Sequence, residues 1–229
     1  MWALSAAEWQ ALTLSLQVAA ISVVCNLPLA VALAYALTRR FMGRGLLDAV
    51  VHLPLVLPPV AVGYLLLVLF GARGPIGHWL QAKLGLELVF TRAGAALATA
   101  VMTLPLMIRA MRVSLEHLDP GLEQAARTLG AGPWDRFFSV TLPLMLPGIL
   151  AGAITAFAAG LGEFGAVITF VSNIPGQTRT LPLALYTALQ MPDGDAAAAR
   201  LAGLSIGLGI AGLVLAEYLS RRVARRLGR

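Results

Sequence analysis

Charge is the scarcest commodity in this sequence. Charged residues make up 12% of the chain, against about 25% in an ordinary soluble domain. Without that polar coat, lipid must serve as part of the solvent. The remaining composition agrees, with 59% hydrophobic residues and a mean hydropathy of +0.81. Cysteine is nearly absent. Cys25 stands alone inside an apolar run, which excludes a disulfide framework within the chain and any cysteine metal set. It is expected to be a small packed side chain. Histidine is sparse as well: His52, His78 and His117 are scattered over different loops and helix ends, with no H-E-x-x-H pairing.

Catalytic and nucleotide motifs are missing too. No G-x-x-x-x-G-K-[ST] loop occurs, and the glycine-rich pieces GARGPIG and GAGP lack the lysine and hydroxyl that grip phosphates. They read as turns. No G-x-S-x-G elbow occurs either. No catalytic residue, metal site or cofactor is expected, and any uphill work must draw its energy from elsewhere. The net charge of +6 would suggest nucleic acid in a soluble chain, but no basic stripe is interleaved with aromatics. In a membrane protein such residues mark cytoplasmic loops.

Acid within the apolar stretches is limited to Glu163, in LGEFGA, and Glu217, near the end of the last stretch, where it can snorkel. Ion-coupled carriers usually carry carboxylates near the midplane, so this scarcity argues against one. Glu163 has two readings: it lines a pathway, or it is a structural acceptor that caps nearby backbone or pairs with an arginine.

What the chain does have is long apolar runs. A crossing helix needs about 20 such residues. Five stretches qualify, at about 11–37, 53–70, 93–111, 144–171 and 201–219. A sixth piece at 181–191 is too short to span and reads as a short helix or re-entrant segment on the outer side. The N-terminal stretch lacks a positive n-region and a small-residue cleavage site, so it is expected to be a retained membrane helix. Arg39, Arg40, Arg44, Arg109, Arg112, Arg127, Arg136, Arg221, Arg222, Arg225, Arg226 and Arg229 flank one side of these spans. Arg73, Lys83, Arg92, Arg179 and Arg200 flank the other. The excess on the first side predicts an external N-terminus and a cytoplasmic C-terminus. The expected fold is a single domain over 1–229, all-α and integral to a membrane. Pro54, Pro58 and Pro59 make the start of the second span more than a simple anchor, Pro105 should kink the third, and Gly148 and Gly152 lie four apart on one helix face. Either ordinary helix packing or irregular backbone beside a pore accounts for them.

One polar interruption stands out, LEQAARTLGAGPWDRFFSVTLP from Leu122 to Pro143. Asp119 is placed to cap a helix with Pro120 near its start, and Gly130 to end it. Leu122, Ala125, Ala126 and Leu129 fall on one face. A second helical piece runs from Trp134 through Phe137 and Phe138 to Pro143. The segment either lies on the membrane surface or docks on a cytoplasmic protein. Its small apolar area favours docking.

These residues resemble the coupling loop of the importer-type ABC permeases, whose pattern is E-A-A, three residues, G, nine residues, I-x-L-P. With Gly130 aligned, Gln124, Ala125 and Ala126 fall on E-A-A, and Val140, Thr141, Leu142 and Pro143 on I-x-L-P. Gln124 replaces the patterned acid, which stands one place earlier at Glu123. Within that family the chain looks most like the molybdate permease subunits, through FAAGLGEFGAVITFVSNIPGQTRTLPLALYT, LPLVLPPVAVGYLLL and TLPLMIRAMRVSLEHLDPGLEQAARTLGAG. Sulfate/thiosulfate permeases share the GEFGA element and a following N-x-P.

The resemblance implies a type I importer fold and a coupling loop at about 116–143. Glu123, Gln124, Ala125, Ala126, Gly130, Leu142 and Pro143 would serve ATPase coupling. It implies a pore made with a second copy of the chain, two copies of a separate ABC ATPase, and an external oxyanion-binding protein. Thr103, Glu163, Ser172 and Asn173 are the candidates for the substrate path, with Thr155 and Thr169 as further polar groups. Molybdate is the implied substrate, with tungstate equally plausible by charge and size. A sulfate permease, an ion-coupled secondary carrier and a scaffold without transport are the competing readings.

Overall fold

The computed structural model describes residues 4–226, and every regular element among them is helical. Arg229 lies outside the described residues, as do the side chains of Glu217, Arg221, Arg222, Arg225 and Arg226. Helix α1 (Ala6–Thr38) contains the first expected span. Its 33 residues give a rod about 50 Å long at 1.5 Å per residue. A capping box starts it: Ser5 Oγ accepts from the Glu8 amide at 3.2 Å, and Glu8 Oε2 accepts from the Ser5 amide at 2.7 Å.

The second expected span is not one helix. It is broken into α2 (Arg44–Val56) and α3 (Pro59–Phe70), which meet at a bend of 115°. Pro58 and Pro59 explain the break. Neither can donate a backbone bond, and each drives the residue before it out of the helical region. Leu57 accordingly has φ −74° and ψ 145°, and Pro58 φ −55° and ψ 134°. The following GARGPIG piece is more than a turn. Pro75 opens α4 (Pro75–Leu84), and Gly85, at φ 64°, closes it.

Helix α5 (Arg92–Glu116) matches the third span and keeps Pro105 within it. Then come α6 (Pro120–Thr128) and α7 (Pro133–Arg136), a π-helical turn at Phe137–Thr141, and α8 (Leu142–Leu161). The fourth expected span, 144–171, is also interrupted. Helix α8 stops at Leu161, and α9 (Gly165–Val171) resumes after Gly162, Glu163 and Phe164. The sixth apolar piece is α10 (Leu181–Leu189), nine residues and too short to cross. Helix α11 (Asp195–Arg226) holds the fifth span. Among the described residues four helices are long and apolar enough to cross a membrane, or five if the bent α2–α3 pair counts as one span.

Helix α5 is the centre, packed against α1 and α8 along most of its length, while α11 lies outside α8. Small residues permit the approach. A Cβ on Gly148 would lie 2.7 Å from Ser114 Cβ, and one on Gly152 3.0 Å from the Met107 carbonyl oxygen. The Gly148–Gly152 pair therefore serves helix packing, the first of its two expected uses. Asn26 Nδ2 donates across to the Ala100 carbonyl at 2.7 Å.

The opposite face of α1 is uncovered, with Ile21 48%, Val24 70% and Leu29 49% exposed. Cys25 belongs to this face and is exposed, not packed as expected. The period of α1 sets Ser22, Asn26 and Ala30 against the bundle and turns Cys25 away.

The two ends of the bundle are tied differently. At one, Arg200 reaches the buried Glu8 at 2.9 Å, and Arg92 donates to the Gly176 carbonyl at 2.7 Å. The last turn of α1 and the α6–α7 segment form the other end.

Candidate coupling loop and transport path

Helix α6 forms as its sequence dictates. Asp119 Oδ1 accepts from the Gly121 amide at 2.8 Å, and Pro120 occupies the first turn, where a missing N–H costs nothing. At the other end Gly130 adopts φ 87°. The Gly130 amide donates to the Arg127 carbonyl at 3.1 Å and the Ala131 amide to the Ala126 carbonyl at 3.0 Å. This is a Schellman closure, which needs a residue tolerant of left-handed backbone at that place.

Little of the chain covers α6. Leu122 is 47% and Leu129 88% exposed, and Gln124 and Ala125 are exposed beside them. Ala126 is half-buried. On the adjoining limb Trp134 and Phe138 stack at 6.3 Å, and both face outward. Leu142 and Pro143 lie where the π-helical turn passes into α8, one half-buried and the other exposed. The piece expected to end at Pro143 thus runs on through the π turn into α8. Pro143 carries no N–H, and its ring crowds the carbonyl four residues back; the widened turn lies where that crowding falls.

Glu123 differs from its neighbours. It is half-buried, and its Oε1 accepts from Arg39 Nη2 at 2.5 Å. That carboxylate holds the Arg39 guanidinium above its usual pKa, against the opposing pull of burial. The acid beside the vacated pattern position is therefore engaged within the chain. A groove of about 250 Å³ runs along this joint, floored by Tyr35, Leu115, Leu122 and Thr141.

The path candidates fall in two places. Thr103 is buried on α5, and its hydroxyl donates to the Thr99 carbonyl at 2.8 Å. Glu163, Ser172 and Asn173 flank α9. Glu163 Oε1 accepts from the Ala166 amide at 3.0 Å, so its carboxylate caps α9. Thr169 bonds back to the Gly165 carbonyl at 2.8 Å, and Thr155 is exposed on α8. Ser172 is exposed at φ 64°, an uncommon conformation for a residue with a side chain.

Asn173 joins a network that the sequence did not single out. Its Oδ1 accepts from Arg179 Nε at 2.9 Å, and its Nδ2 donates to Thr187 Oγ1 at 2.8 Å. Thr178 Oγ1 donates to the Ser172 carbonyl at 3.0 Å and accepts from the Ile174 amide at 2.9 Å. The polar run QTRT after Asn173 was the available signal for Thr178 and Arg179. Thr187 sits in an apolar helix and gave none.

Both broken spans meet beside this region. A Cβ on Gly63 of α3 would lie 2.6 Å from the Ala166 carbonyl oxygen and 2.8 Å from Thr169 Cβ. A Cβ on Gly165 would lie 2.8 Å from Pro59 Cβ. Irregular backbone at membrane depth survives only where protein buries it or where it lines a wet cavity. Here the two broken spans pack against each other at Pro59 and Gly165, while Pro58, Pro59 and Val60 stay exposed at the bend.

Comparison with known proteins turns this geometry into an assignment. The family model described as "Binding-protein-dependent transport system inner membrane component" matches residues 26–225. The chain belongs to that family. Among curated relatives, the "Molybdenum transport system permease protein ModB" of Escherichia coli (strain K12) is 56% identical over 223 residues, 97% of each chain. The protein of the same name from Haemophilus influenzae is 52% identical over 222 residues, 96% of this chain and 97% of its own length. The "Sulfate transport system permease protein CysT" of Escherichia coli (strain K12) is further off, 39% identical over 196 residues, 85% of this chain and 70% of its own.

Solved structures agree on the fold. A bacterial alginate ABC transporter in complex with a pentasaccharide-bound periplasmic protein superposes with TM-score 0.71 at 19% identity, over 97% of this chain and 80% of that one. The MetNI methionine ABC transporter, in an inward-facing form, gives 0.67 at 17% identity, over 94% of each. This permease is an all-α, multi-pass member of the type I ABC importer architecture.

Proposed function

We propose that this permease is the pore-forming subunit of an ATP-driven importer for molybdate. The observation that carries the substrate is the 56% identity, over 97% of both chains, to a molybdenum transport permease. Two copies of the chain enclose the path, and two copies of a separate ABC ATPase bind the end that carries α6. An external oxyanion-binding protein delivers substrate at the other end. The N-terminus is then external and the C-terminus cytoplasmic, in line with the arginine distribution. The permease holds no nucleotide site of its own and is not an enzyme.

The exposed residues of the loop support this reading. Leu122 and Ala125 on α6, with Leu129 just past its end, present exposed apolar side chains at the end of the bundle, and Trp134 and Phe138 are exposed on the adjoining limb, beside Leu27, Val31 and Tyr35 of α1. Gln124 is exposed beside Ala125, and we assign Gly130, Leu142 and Pro143 to the turns that shape the loop. Exposed apolar patches of this kind serve protein contacts. ATP-driven closure of the ATPases moves α6 and tilts the spans between inward-open and outward-open states.

For the path we assign Ser172 and Asn173 first, with Glu163 and Thr103 behind them. The neutral hydroxyl and amide groups of Ser172, Asn173 and Thr103, and the cationic Arg179 beside Asn173, suit a dianion that must pass without being trapped. Selectivity rests mainly with the external binding protein.

The test is reconstitution with the ATPase and binding protein, followed by ATP-dependent uptake of labelled molybdate. Tungstate is expected to compete strongly and sulfate weakly. Uptake inhibited best by sulfate would move the chain to the sulfate class. Uptake that follows an ion gradient without any ATPase would replace the reading altogether.

A further inference from the structure

One group of side chains joins the loop to a membrane-spanning helix far from it in sequence. Arg39 caps the C-terminus of α1. Its Nη2 donates to Glu123 Oε1 and to the Tyr35 hydroxyl, each at 2.5 Å. One nitrogen with two hydrogens serves both partners. The guanidinium also lies 4.7 Å from the Tyr35 ring centroid. The same ring meets Phe137, the first residue of the π turn, edge-on at 4.9 Å. Both limbs of the loop thus converge on the last turn of α1: α6 through Glu123 and Arg39, the π turn through Phe137 and Tyr35. Apart from this, α6 packs chiefly within its own loop, against α7 and the π turn.

The chain itself carries motion of α6 back into α5 and forward into α8. Nothing covalent carries it to α1, since Arg39 and Glu123 are 84 residues apart. Yet α1 packs along both α5 and α8.

We propose that Arg39 and Glu123 form a strap that makes the end of α1 move with the coupling helix. Displacement of α6 by a docked ATPase then reaches α1 as well as α5 and α8, the two helices to which the chain joins it. Glu123 is in this role a positioning residue that faces its own chain, and Gln124 is left to face the partner. The strap rests on the functional reading above. The pair is partly open to solvent, with side-chain exposures of 47% and 35%. Such ion pairs contribute little to folding, so their loss shows in coupling before it shows in stability.

The experiment uses the permease with its ATPase and binding protein in vesicles, measuring molybdate moved and phosphate released in the same sample. Arg39→Gln and Glu123→Gln are each expected to lower molybdate moved per ATP about three- to tenfold, the scale on which linking residues alter coupling. The exchanged pair, Arg39→Glu with Glu123→Arg, is expected to recover most of the loss. Arg39→Gln is expected still to co-purify with the ATPase. Wild-type ratios in both single variants, or an exchanged pair no better than either, overturn the strap. Loss of ATPase co-purification in Arg39→Gln also overturns it, since the pair would then belong to docking itself. An unmodified permease that moves no oxyanion under ATP overturns the functional reading first, and the strap falls with it.

Discussion

Gly165 of α9 rests on Pro59 of α3, close enough that a Cβ on the glycine would stand 2.8 Å from the proline Cβ. Each residue opens the second half of a broken span. Proline breaks the first by removing donors and the glycine-flanked Glu163 breaks the second, and the two gaps fit only because one partner has no side chain. Gly63, one turn further along α3, meets Ala166 and Thr169 just as closely.

Crowding this contact should be costly. Gly63→Val and Gly165→Val are expected to destabilise the fold by about 1–3 kcal/mol, as overpacking does in well-filled interiors. Thermal unfolding in detergent, followed by size-exclusion, measures this. Midpoints equal to the unmodified protein would show that the breaks are not in close contact.

The loop makes a second prediction. Gly130→Pro fixes φ near −65° where the chain needs 87°, and removes the amide that closes α6. Ala125→Asp places charge in the middle of the exposed apolar face. Both are expected to leave ATP hydrolysis uncoupled from molybdate uptake. Full coupled transport in both variants would refute the docking role of α6.

Glu163 offers a third. Its carboxylate caps α9, and glutamine retains an oxygen that can accept the same bond. Glu163→Gln is therefore expected to keep wild-type stability, and Glu163→Ala to lose about 1 kcal/mol, the usual value of a lost cap. Uptake by Glu163→Gln at or above the wild-type rate is expected, because a negative charge beside an oxyanion path aids nothing. A collapse of uptake in a stable Glu163→Gln variant would show that the carboxylate acts on the substrate.

The orientation can be read with the chain's own scarcity of cysteine. With Cys25→Ser as background, Leu129→Cys provides a single thiol on a side chain 88% exposed at the loop. A membrane-impermeant maleimide should label it in inverted vesicles and not in right-side-out ones. The opposite pattern would invert the proposed topology and remove α6 from the ATPase side.

Composition and hydropathy settled the solvent of this protein, because a chain this poor in charge cannot be coated for water. They also settled α1, α5 and α11, where nothing interrupts a long apolar run except an internal proline that the helix tolerates. Helix α6 was legible to its cap and its stop, since Asp119, Pro120 and Gly130 act through local backbone chemistry alone. Pro58 and Pro59 marked the second span as irregular but not as a bend of 115°, and the break after Leu161 was not placed, because hydropathy averages over a gap of two or three residues. Nor was the exposure of Cys25, which depends on which face of α1 meets α5.

The ties across the bundle lay further still beyond the sequence. The resemblance gives Glu123 to ATPase coupling, and the structure binds it to Arg39; it offers Asn173 as a candidate for the substrate path, and the structure holds it with Arg179 and Thr187. Periodicity reports how a residue relates to its own helix. Which residue it meets from another helix is fixed only when the packed bundle brings them within hydrogen-bonding distance.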